Sequence, residues 1–413
     1  MRRIHAVVIA TLFTMNVAFA GDQDRRANPG FDCSADDVPP LVHCGTTPSA
    51  TFDEDGRLWV AFEHNDFVYV VSSDDEGQTY SPAARVNEIA EPLNTNGENR
   101  PKIALGNGGE IYVSWTKITE GRFAGDIRFS RSLDRGTDFA ALITVNDDGL
   151  VTSHRFESLF VDSTGAIYMV WIDKRDLLAA QADGRDYEGA AIYYTVSTDG
   201  GATFAANRKV ADNSCECCRI AMSEDDNGDV AIFFRNIFGD NIRDHGFAVL
   251  GRDRLRSPLV RVTRDDWQID ACPHHGPAMS FAGGDGFHLT WYTGGAARKG
   301  VYYGYYDSGR GQVRNLASMA ATASASHPYI AEVAGSLLLV WKEFDGEKTN
   351  IKLVESVNDG HSWGPAQSIA TTPDASDHPF ILAHGKDAYL SWHTSLDGLR
   401  IIPVTTDSGR ATR

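Results

Sequence analysis

Thirteen histidines are scattered through the chain, yet seven recur in two kinds of position. His154, His274, His275, His327 and His378 each stand just before, or two or three residues ahead of, a residue that opens a β-rich run. His64 and His393 stand just after the aromatic that closes one. Neutral imidazoles collected in this way could coordinate a transition ion, with Cys217 or Cys218 as a thiolate partner, and copper is expected ahead of zinc. Cys215-Glu216-Cys217-Cys218 and Cys272-Pro273-His274-His275 sit at similar offsets in consecutive units, so they are expected to be neighbours in space. Arginines occupy the same kind of position: Arg100, Arg155 and Arg175 could clamp a carboxylate, since a guanidinium fork matches that group in two places. Glu157 offers a carboxylate and Tyr329 a phenol beside them.

The elements that must position these groups form a repeat. Each unit opens on Pro or a substitute, reaches a glycine, and closes on an aromatic: Pro48 to Phe62, Pro101 to Trp115, Phe156 to Trp171, Arg219 to Phe234, Pro277 to Trp291, Pro328 to Trp341 and Pro379 to Trp392. The content of a unit is a hairpin, as in Leu58-Trp59-Val60-Ala61-Phe62 after Asp55-Gly56, followed by two further strands. Rotational repetition would then bring the unit openings around one axis. Seven units predict an all-β, seven-bladed β-propeller over residues 40–406, with six blades as the alternative. The Pro40–His43 segment is expected to add the missing outer strand to the last blade.

Between the third and fourth strands of four units lies an octet: Ser73 to Tyr80, Ser132 to Phe139, Ser197 to Phe204 and Ser356 to Trp363. Its Ser-x-Asp-x-Gly-x-Thr-aromatic pattern suits a turn, with glycine at positive φ and the aromatic plugged into its own blade. These octets resemble the Asp boxes (BNR repeats) of the sialidase-like superfamily of propellers. The resemblance covers the repeat and departs in number, because sialidases of that superfamily have six blades. It implies an exo-glycoside hydrolase with three arginines for a substrate carboxylate, a tyrosine nucleophile paired with a glutamate, and an aspartic acid/base. The candidates are Arg100, Arg155 and Arg175, with Glu157 or Glu63, and Tyr292 or Tyr329. Where that superfamily opens its first blade on Arg-Ile-Pro this chain has Thr46-Thr47-Pro48, and Glu63-His64-Asn65-Asp66 replaces the Asp-x-Arg setting. A third reading is a non-catalytic propeller that binds a glycan, an anion or a protein.

Arg2 and Arg3, the apolar run from Ala6 and the Ala18-Phe19-Ala20 end read as a secretory signal cleaved after Ala20, which predicts a periplasmic or secreted protein. Residues 21–39 form an N-terminal segment and 407–413 a tail. In an oxidising compartment the remaining six cysteines predict three disulfides, with Cys33 to Cys44 as one and a vicinal Cys217–Cys218 link as another candidate. A net charge of −18 excludes nucleic acid as a partner, and nothing after the leader is apolar enough to insert in a membrane. A monomer is expected. The run Lys174–Asp186 reads as an enlarged surface loop.

Overall fold

The computed structural model describes residues 41–404. Seven antiparallel sheets follow one another along the chain, each a meander in sequence order, six of four strands and the last of three. Their inner strands are Thr46–Phe52, Lys102–Leu105, His154–Val161, Ala221–Glu224, Ala278–Gly283, Ala325–Val333 and Phe380–His384. The architecture is a seven-bladed β-propeller, and the six-bladed alternative is ruled out.

The closing aromatics explain why the blades pack. All seven, from Phe62 to Trp392, are at most 2% exposed, and the buried apolar residues fall into seven clusters that each span two neighbouring blades. A buried tryptophan removes roughly 200 Å² from water, worth about 5 kcal/mol before conformational entropy is charged against it. One of these clusters joins the last blade to the first, through Leu382, Tyr389 and Leu399 against Val42, Leu58 and Phe62.

Closure differs from the sequence expectation in one respect. No N-terminal strand pairs with the last blade among the described residues; Leu41–His43 form a single 3-10 turn whose Val42 is buried beside Leu399. A three-residue turn that already buries Val42 and packs Leu41 against the same cluster gains little by extending along the outer edge. Of the predicted boundaries, residues 1–20 (the leader), 21–39, the Cys33 half of a Cys33–Cys44 link and 407–413 lie outside the described residues.

The four octets form the same turn. The serine hydroxyl accepts the glycine N–H at 2.8 to 2.9 Å, and the glycines hold φ between +71° and +85°. Each turn leans on the blade before it. A Cβ on Gly136 would press on Trp59, and one on Gly201 would reach Phe129. The aromatics follow: Phe204 meets Phe129 edge-on at 4.9 Å, and Trp363 meets Tyr303 at 4.8 Å. They therefore fasten neighbouring blades together, whereas the sequence had placed them within their own. The Lys174–Asp186 run contains a helix, Arg175–Ala182, folded against the third strand of blade three.

Candidate functional site

Three inner strands open on a β-bulge, seen as register shifts at Thr46/Ser49, opposite Val170/Ile172 and at Ser326/Tyr329. Thr47, Phe156 and His327 carry the left-handed backbone there, with φ of +46°, +57° and +51°. A non-glycine residue in that region costs of order 1–3 kcal/mol and re-aims the side chains around it. The bulges lie at the end of the channel opposite the octet turns.

At that end a carboxylate crosses between blades. Glu98 sits in the linker from blade one to blade two, in a tight turn where Asn96 and Asn99 exchange backbone hydrogen bonds and the Asn96 side chain accepts the Glu98 N–H at 2.9 Å. Its side chain is 1% exposed. It accepts the N–H of Arg219 at 2.8 Å and of Gly276 at 3.0 Å, and the Arg219 guanidinium stands at 3.4 Å. His378 Nδ1 lies 3.4 Å and His327 Nε2 3.9 Å from its other oxygen. One side chain thus touches blades four, six and seven and the opening of blade five. Glu98 was not legible as a site residue in the sequence; its only signal was standing two residues before Arg100.

Next to Glu98 the histidines form a column. His275 and His327 have ring centroids 4.6 Å apart, and His327 and His378 stack at 3.6 Å with 21° between planes. His275 also rests on Tyr292 at 4.2 Å. Burial drives all three below the ordinary imidazole range, and the cations around them add to it: Lys342 and Arg219 at His327, Lys342, Arg100 and Arg219 at His378, and Arg235 at His275, which falls to about 3. They are neutral at pH 7. Nδ1 of each lacks a hydrogen-bond partner, while His327 Nε2 donates to the His274 carbonyl at 2.9 Å. His274 itself is exposed at φ +52°, near Phe156.

The arginines are deployed as braces. Arg100 donates to the carbonyls of Gly97 and Pro48 and pairs with Asp377 at 2.7 Å, its guanidinium carbon 4.5 Å over the Phe380 ring. Arg219 donates to the carbonyls of Pro277 and Pro328, and Arg235 to those of His275 and Tyr292. Arg155 binds the Asn94 side chain and stacks on Phe156. Arg175 belongs to a different network, with Asp147, Asp148 and Asp173. His154 joins that network: although burial opposes it, Asp148 at 3.0 Å and Asp173 raise its pKa. The three arginines named from the sequence therefore have separate sets of partners.

Glu157 is buried on the inner strand of blade three. One oxygen accepts the Thr116 hydroxyl at 2.7 Å, the other has no partner, and burial raises its pKa against the opposing pull of Lys102. Lys102, from the inner strand of blade two, is lowered by burial to about 8. Tyr329 lies edge-on to Phe380 within the field of Arg219, and burial raises its phenol. His393 stands apart near Asp377 and His43, with Nε2 unpartnered.

Among the predicted ligands, two groups come within coordinating reach of each other: His327 and His378 with Glu98, and Cys217 and Cys218 with Cys215; in each, one ligand atom per residue lies within 4.8 Å of the others. His154 forms a third group with Asp148 and Asp173. Cys215, Cys217, Cys218 and Cys272 are all free thiols, so neither the vicinal link nor a second and third disulfide is formed among them. The cysteines meet in space, as expected, but their sulfurs stand too far apart to be bonded.

No protein-family model matches the chain, and no curated protein matches its sequence. Solved structures do share the fold. A polysaccharide lyase of family PL25, an ulvan lyase bound to -[GlcA(1-4)Rha3S]-, superposes with a TM-score of 0.54 at 9% identity, over 89% of this chain and 97% of that one. The Hadza microbial sialidase Hz136 gives 0.48 at 12% identity over 86% and 74% of the two chains. The GH93 α-L-arabinofuranosidase of Fusarium graminearum with arabinobiose gives 0.47 at 13% over 71% and 87%. At these identities the likeness is one of fold.

Proposed function

We propose that the protein is a glycan-acting enzyme that receives an acidic saccharide at the Glu98 end of the channel and uses the His327–His378 stack as its proton acceptor. The observation that carries this reading is the column of neutral imidazoles held among Arg100, Arg219 and Lys342. A chain of net charge −18 has gathered cations at one mouth, which favours an anionic ligand there. A base that stays neutral beside those cations suits removal of a proton next to a carboxylate, because the cations stabilise the charge that develops. On a uronate, the imidazole takes the C5 proton, the C4–O bond breaks, a C4–C5 double bond forms, and the departing sugar oxygen takes up a proton. The glucuronate-containing ligand of the ulvan lyase supports this choice of substrate class.

The same cations weigh against a metal ion on Glu98, His327 and His378, since it would add positive charge to a positive site. A three-arginine clamp of the sialidase kind would need donors that Arg100 has already given to backbone carbonyls and Asp377. Hydrolysis keeps one specific observation in its favour, the buried Glu157, whose pKa is raised by burial and whose second oxygen is unpartnered. Action on a polysaccharide also fits the export signal read at residues 1–20. The test is incubation with a panel of uronate-containing and neutral polysaccharides and a sialoside. Unsaturated product absorbing in the ultraviolet, abolished in His378→Asn, is the expected result. New reducing ends without unsaturation, lost in Glu157→Gln, would replace elimination by hydrolysis. Binding with no turnover of any glycan would overturn the enzyme reading.

A further inference from the structure

The cysteines form a site separate from the histidine column. They sit in the connection from blade three to blade four, just after the strand Arg208–Ser214, and the Cys215 N–H is anchored to the Arg235 carbonyl at 3.1 Å. Cys215, Cys217 and Cys218 are at most 3% exposed, and their sulfurs converge: Cys215 to Cys217 is 3.8 Å and Cys217 to Cys218 is 3.9 Å. A disulfide requires about 2.05 Å. Sulfurs on one tetrahedral ion with metal–sulfur bonds of about 2.3 Å stand about 3.8 Å apart. The observed spacings are those of ligands around a common centre.

The surroundings suit thiolates. Arg243 Nη1 lies 3.5 Å from the Cys215 sulfur, and Arg235 acts on the same thiol. Two buried guanidiniums would balance the charge of several thiolates on one cation. There is also a way in. A cavity of about 380 Å³ opens beside the cluster, walled by Cys272, Arg243, Glu216 and Asn241 among others. Cys272 is exposed, and its thiol approaches Cys217 closely enough to perturb it. A fourth sulfur therefore stands between the cavity and the three buried ones.

We infer that Cys215, Cys217 and Cys218, with Cys272 as the fourth ligand at the cavity wall, bind one thiophilic d10 cation, Cu(I) or Zn(II). Its role is structural. Arg219 follows Cys218 directly and braces Pro277, Pro328 and Glu98, so an ion that fixes the cysteine loop also fixes the brace under the histidine column. Sulfur ligands and a closed, four-coordinate shell favour this role over an open catalytic position.

The experiment uses the full chain, reduced and kept anaerobic, with thiols counted before each titration. Zn(II) is titrated against a chromophoric chelator, and Cu(I) against a bicinchoninate competitor. One equivalent of either ion bound per chain is expected, with the stronger competitor deciding which is preferred. Co(II) should give the sulfur-to-metal charge-transfer band of a thiolate site. Cys217→Ser should lose the stoichiometric binding and the band. Should that variant fail to fold, Cys272→Ser at the cavity wall carries the test, and its band should weaken and shift. Fully reduced protein that binds neither ion, or a band unchanged in both variants, would overturn the inference. So would peptide mapping that finds Cys217 already in a disulfide in freshly isolated protein.

Discussion

Acidification should unfold this protein for a reason that can be assigned to single imidazoles. His275 is lowered by burial, Arg235 and its neighbours from 6.5 to about 3, and His288, buried under Tyr303, from 6.5 to about 4. The folded chain refuses these protons while the unfolded chain accepts them below 6.5. The stability they contribute is therefore complete above that pH and is lost progressively as the pH falls toward the folded values. About pH 5 lies about 1.5 pH units below 6.5, so at about 1.36 kcal/mol per unit each residue withdraws about 2 kcal/mol there. His154 works the other way, its raised pKa adding stability in acid, but it is alone in that direction among the shifted histidines. The assay is the urea midpoint at about pH 7.5 and about pH 5 for wild type and His288→Gln. The variant, which has nothing to titrate at that position, should lose about 2 kcal/mol less between the two conditions. Equal losses in the two proteins would refute the assignment, and a wild type no less stable at the lower pH would refute the argument as a whole.

Glu98→Ala strands the Arg219 cation and the N–H groups of Arg219 and Gly276, and calorimetry should show a loss of about 3–5 kcal/mol, with Glu98→Gln in between. Gly97→Ala should abolish turnover and also lower the stability by about 1–3 kcal/mol in urea unfolding, because the added Cβ runs into the His378 ring, which is itself held by its stack on His327. Ser132→Ala removes the acceptor for the Gly136 N–H, and should cost about 1 kcal/mol in urea unfolding without altering turnover of any substrate found.

The blades were legible because each carries the same glycine turn and the same buried aromatic, and burial of Phe62, Trp115 and their counterparts is a local requirement repeated seven times. Placement of the histidines around one mouth followed from that repetition. What the sequence hid depends on contacts between blades. Glu98 matters because its side chain spans the openings of four blades, which no spacing along the chain encodes. Arg100 and Arg155 read as free cations and turned out to be committed to Pro48 and Asn94. Arg175 and His154 share the repeat's register but face an acidic network of their own. The cysteine spacing brought the thiols together correctly, while their sulfur separations were a matter of loop geometry.

The junction between blades seven and one is the only one in the ring across which the described chain does not run. Every other pair of neighbours is also joined by a peptide linker. Among the described residues the load here falls on side-chain contacts such as Tyr389 on Glu76 and Phe52, and Leu399 against Val42. The molecule is in this sense a split washer held by a clasp. Tension applied between residues 41 and 404 would meet no covalent resistance until the clasp parted, and the blades would then peel off one after another. The Glu98 end of the channel would lose its shape at the first of those steps, since Asp377 and His378 would leave with blade seven.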